Sequence, residues 1–181
     1  EWCIGLRLVK GELQIIPNNN AADNSVSNSA SSNAWRAIKA SDGSLVAPDG
    51  NGTTTGTIKL NRVNNHWEWD TTISDSKDES RSAAFKDTTA AASVGDAAKL
   101  ILMSLALMPD TALTGDGIDA NYGGDYFWAN NAADERCPIR GGSWISGESA
   151  GVFSLHLRNP RSNSWAAYGG RSAFVKLPAE A

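Results

Sequence analysis

Short stretches of alternating apolar and polar residues, separated by turns rich in glycine, asparagine and aspartate, dominate this chain. Leu6, Leu8, Leu13, Ile15 and Ile16 read as strand positions, and they are followed by a polar Asn/Ser tract over residues 18–33 that lacks the periodicity of any element. Asp42-Gly43 lies within residues 35–46 and favours a hairpin turn, because both positions tolerate positive φ, although residues 35–40 are also open to a helical turn. Residues 57–71 give a sharper expectation. With Asn64-Asn65 as a two-residue turn, Arg62 pairs with Trp67, Leu60 with Trp69 and Ile58 with Thr71.

One helix is expected. Ser93, with Asp96 three residues on, resembles a capping box, and the apolar run AAKLILMSLALM that follows ends at Pro109. This predicts a buried helix of about four turns. Residues 114–128, TGDGIDANYGGDYFW, read as a loop wrapping near a C-terminal site. Over residues 152–158 the alternation predicts a half-buried strand, with Phe153, Leu155 and Leu157 on the apolar face and Ser154, His156 and Arg158 on the polar one. A second alternation runs through residues 171–177. The pattern as a whole is α+β, with short antiparallel strands, few helices and long loops. It divides into an N-terminal strand segment with its linker (1–33) and a main unit (34–181).

Composition adjusts this picture only in places. The 181 residues carry 16 basic and 20 acidic side chains with no basic cluster, so a reader of nucleic-acid phosphates is not expected. The longest apolar run, near residues 100–108, is about half the length of a bilayer span, and no membrane insertion is expected. Seven tryptophans are many for this length, and some of the rings are expected to serve recognition. Cys3 and Cys137 allow at most a single bridge and offer no zinc spacing. The first residue is Glu1 and not methionine, which points to a fragment or a processed product with more sequence in front.

Four blocks occur in order near the C-terminus: Arg140-Gly-Gly-Ser-Trp144, Ala150-Gly-Val-Phe153, Asn159-Pro-Arg-Ser162 and Gly169-Gly-Arg-Ser172. In this order and spacing they resemble the C-terminal region of the variable proteins of diversity-generating retroelements, a family that includes bacteriophage tropism determinants and tail-fibre tip proteins. Gly170 stands where that family usually has a bulky residue. The resemblance implies a C-type-lectin-like fold of the formylglycine-generating-enzyme type, with a variable region over about residues 140–174. It implies ligand contacts at Ile145, Ser146, Glu148, Ser149, His156, Arg158, Trp165, Ala167 and Tyr168. The implied partner is a bacterial cell-surface protein or glycan receptor. The implied setting is the virion tail fibre, where such proteins are often trimers, or alternatively a diversified adhesin on a bacterial surface.

The residues read by themselves point the same way. Solvent-facing His, Arg, Trp and Tyr on a strand-and-loop platform have the composition of a recognition surface. Trp144 is expected to anchor the core, and Arg140 and Arg171 are expected to tie loop carbonyls. His156 has no catalytic partner in sequence and is expected to be a surface residue. Asp116, Asp119 and Asp125 could gather around calcium, but their spacing is not that of an EF-hand loop, and neither a metal nor a cofactor is expected. No catalytic residues are expected. The enzymatic alternative of the formylglycine-generating type needs reactive cysteines in the C-terminal part, and residues 165–174 contain none.

Overall fold

The computed structural model describes residues 3, 5–17, 27, 29–110, 112, 121–142, 146–149, 151–166 and 168. Two sheets carry the fold. Among the described residues they are joined by one α-helix long enough to name.

The first sheet begins with β1 (Leu6–Val9) and β2 (Glu12–Ile15), an antiparallel hairpin in which Leu8 faces Leu13. Beyond β2 lie β3 (Arg36–Ile38) and then β4 (Leu45–Val46), with Ala37 opposite Val46 across the turn at Asp42-Gly43. The centre of residues 35–40 is thus strand and not a helical turn. β2 also pairs with β5 (Lys59–Val63). The expected hairpin of β5 with β6 (His66–Asp70) has the expected register, Leu60 opposite Trp69 and Arg62 opposite Trp67. Asn64 and Asn65 have φ of 48° and 66°, the left-handed pair that a twisted two-residue turn demands. The N-terminal hairpin is therefore continuous with the sheet of the main unit, since β2 is bonded to β3 and β5 alike.

The second sheet has the order β10-β11-β9-β7. It is built from β7 (Arg81–Ala84), β9 (Tyr126–Ala129), β10 (Cys137–Arg140) and β11 (Leu155–Asn159). The short β8 (Thr89–Ala90) pairs with β6 in the first sheet. β9 and β11 run parallel, and the bridge between Leu8 and Arg136 joins the two sheets. Residues 126–128, expected as loop, thus form an interior strand. Their alternation, Phe127 and Ala129 inward with Tyr126 and Trp128 outward, overrides the glycine-rich approach.

The core lies between these sheets. Trp67, Trp69, Phe85, Phe127, Leu60 and Leu155 are fully buried. The indole N–H of Trp67 donates to the Phe127 carbonyl at 2.9 Å, and that of Trp69 to the Leu107 carbonyl at 3.0 Å, so neither ring leaves a polar atom unsatisfied.

Helix α1 (Asp96–Ser104) is shorter and more exposed than its sequence predicts. Gly95, not Ser93, is the N-cap, and the Ser93 hydroxyl donates to Asp70 at 2.6 Å. The Gly95 N–H bonds the Ala40 carbonyl at 2.8 Å, and a Cβ there would collide with the Ser41 carbonyl, so the helix starts hard against the β3–β4 turn. At the other end Ala106 takes φ 50°, and the Leu107 N–H returns to Leu102 O at 2.8 Å. Only Ala98 and Leu102 are buried, and Leu100 is 63% exposed. Among the described residues no helix is long and apolar enough to cross a membrane.

Candidate functional site

β11 separates two roles by its pleat. Leu155 and Leu157 are completely buried against the core, while His156 and Arg158 alternate with them on the outer face. The strand begins at Leu155 and not at Val152. Ser154 does not join the outer face as expected. It is fully buried, with its N–H on the Gly151 carbonyl at 3.2 Å and its own carbonyl taking the Gly141 N–H at 3.1 Å.

The parallel register of β9 and β11 sets His156 beside Trp128. The two rings stack with centroids 4.4 Å apart and planes inclined by 26°. Tyr126 continues the row, 5.3 Å from Trp128, and the Arg158 guanidinium lies 5.9 Å from the Trp128 ring centre. Burial against this row, helped by the charge of Arg158, pushes the His156 pKa down to about 4. The imidazole is therefore neutral at physiological pH. Sequence reasoning missed Tyr126 and Trp128, and the signal that would have found them is the period-two pattern of Tyr-Phe-Trp-Ala.

Trp165 and Tyr168 form a second, separate pair beyond the end of β11. Trp165 is 50% exposed, and the rings meet edge to face at 5.6 Å, closed by a Tyr168 N–H to Trp165 O bond of 2.9 Å. The Asn159 amide donates to the Tyr168 hydroxyl at 3.0 Å and so fixes this pair to the strand. Ser149, half-buried, ends a short 3-10 turn, Gly147–Ser149, with Glu148 as its middle residue, and Ser146, also half-buried, directly precedes it. Ile145 and Ala167 lie outside the described residues, as do Trp144, Gly170, Arg171 and the alternation at 171–177.

Residues within the four blocks hold the frame. Arg140 Nη2 donates to the Leu105 carbonyl at 2.8 Å and to that of Ala106, capping the carbonyl end of α1 as expected of an arginine tying a loop. Arg161 bonds Glu135 at 2.9 Å, and Arg7 reaches the same carboxylate at 2.8 Å. Burial pushes the Glu135 pKa up, but the two guanidinium groups outweigh it, and the net shift is downward. Gly151 sits where any Cβ would strike Asp125. The Asp125 carboxylate accepts the backbone N–H groups of Gly151 and, at 2.8 Å, of Phe153. Its oxygens thus anchor the β10–β11 connection, and Asp116 and Asp119, the other two aspartates of the calcium expectation, lie outside the described residues. Among the described residues no group of three or more His, Cys, Asp or Glu side chains is arranged to hold a metal ion. Phe153 stacks on Phe85 at 5.7 Å and meets Tyr122 edge-on at 4.7 Å.

Cys3 and Cys137 are not joined in a disulfide, and burial raises the pKa of Cys137. Comparison with known proteins returns neither a matching family model nor a similar curated protein.

Proposed function

We propose that this chain is a receptor-binding protein with a diversified C-terminal surface on a C-type-lectin-like fold, acting at a bacteriophage tail-fibre tip in attachment to a bacterial host. The observation that carries this reading is the division of labour along the C-terminal blocks. Arg140, Gly151, Phe153 and Arg161, all within the blocks, bond or pack to the frame. Between the blocks, His156 and Arg158 lie half-buried on the outer face of β11, and Trp165 is exposed. Side chains of the second kind can change without touching the core, and a rigid scaffold under changeable contacts is what a diversified binder requires. A nucleophilic role for Cys137 is disfavoured, since burial raises the pKa of its thiol, the opposite of what activates a nucleophilic cysteine.

The test is simultaneous replacement of Ile145, Glu148, His156, Arg158, Trp165 and Tyr168. Adsorption to host cells should fall sharply while the circular dichroism spectrum stays that of the parent. Trp165 should be among the larger single contributors, because truncating a ring covered at an interface centre commonly costs about 2 kcal/mol or more. A folded variant that adsorbs as well as the parent would sink the proposal.

A further inference from the structure

The row of rings on the second sheet extends beyond the positions that the resemblance marks as changeable. Tyr126 and Trp128 belong to β9, outside all four blocks, yet their outer-face side chains stand shoulder to shoulder with His156 and Arg158 because β9 and β11 are parallel neighbours in register. On the other side of β9 the cross-strand partners are small: Ser82 faces Trp128 and Ala84 faces Tyr126. The rings therefore rise above β7, forming a shelf with a low flank. Tyr126 is 37% exposed at one end of the row.

Two further features narrow what the shelf suits. Among the described residues Arg158 takes part in none of the ion pairs, and its guanidinium lies beside Trp128. A guanidinium fork in that condition matches a carboxylate. The neutral imidazole of His156 offers one donor and one acceptor, a combination that hydroxyl groups satisfy well. A pyranose ring joins these chemistries in one body, with a C–H face to lie on an aromatic surface and hydroxyls at its rim. A carboxyl substituent adds the anion.

We propose that Tyr126 and Trp128 are the constant half of the recognition surface, and that with His156 and Arg158 they seat a carboxylated sugar, such as a uronic acid residue of a surface glycan. This rests on the receptor-binding reading above and names the ligand class for part of that site.

The probe is an array of immobilised oligosaccharides bearing uronic acid residues, beside counterparts whose carboxyls have been reduced to alcohols and beside acidic peptides. The chain should bind acidic glycans and lose at least about 10-fold in affinity on the reduced set. Trp128→Ala should weaken glycan binding by about 30-fold, as loss of a central aromatic anchor does. Arg158→Gln should erase the preference for the carboxylated set. If Trp128→Ala lowers the melting temperature, Tyr126→Ser at the exposed end of the row replaces it, with weakened glycan binding again expected. Equal binding to reduced glycans, binding to acidic peptides alone, or unchanged glycan affinity in a folded shelf variant would overturn the proposal. A chain that ignores acidic glycans, yet loses host adsorption when the six changeable residues are replaced, overturns the sugar assignment alone. Adsorption that survives that replacement overturns the receptor-binding reading as well.

Discussion

His156 shows how one side chain can be foreseen in direction and missed in environment. Its place on the polar phase of a strand follows from alternation alone. The stack on Trp128 does not, because the partner lies on another strand, 28 residues earlier in the chain. That stack has a pH signature. In the unfolded chain the imidazole titrates near its ordinary 6.5, whereas in the fold it is pushed down to about 4. Between those values the unfolded chain holds a proton that the folded chain does not, so stability is lost as pH falls through that window. After allowance for the ring's remaining solvent contact, the loss should be about 1 to 2 kcal/mol. Urea melts at pH 7 and pH 4.5, for the parent and for His156→Gln, measure it. The parent should lose more than the variant, and equal losses would show that the ring protonates freely in the fold.

At the scale of elements, β11 packs one face into the core and, in the proposed reading, turns the other toward a receptor. Leu155→Ala should cost about 2 to 5 kcal/mol, the usual range for a fully buried leucine. Arg158→Ala should stay within about 0.5 kcal/mol of the parent, as an outward substitution does when its one ring contact, with Trp128, is as long as 5.9 Å. Denaturant midpoints of the two variants decide it, and a large loss from Arg158→Ala would mean that its outward side is packing surface. The neighbouring elements explain why the sequence reading fared unevenly. The β5–β6 hairpin was legible because its turn residues and its alternation agree. Helix α1 was read too long because the apolar run does continue, but Leu107 enters the core outside the helix and its carbonyl accepts the Trp69 indole. The carbonyls that precede it bond Arg140, a residue far away in sequence. β9 was read as loop because its Gly/Asp-rich approach outweighed four residues of clean alternation.

For the whole molecule, the N-terminal hairpin is part of one cooperative structure. Leu8 and Leu13 are fully buried in the same cluster as Trp67, Phe127 and Leu155, and β2 bonds both β3 and β5. Deleting residues 1–17 should therefore abolish cooperative unfolding instead of releasing a stable unit over 34–181. Thermal melts followed by circular dichroism test this, and a cooperative melt of the shortened chain would refute it. Alternation and turn chemistry by themselves determined the β5–β6 hairpin, the inner and outer faces of β11 and the mixed class of the fold, since those signals act over a few residues. Only the tertiary structure decided where α1 ends, that Asp125 binds the backbone of the β10–β11 connection, and that Tyr126 and Trp128 stand beside His156 and Arg158. Each of those depends on groups that folding brings together from distant parts of the chain, and no local pattern encodes which distant strand becomes a neighbour.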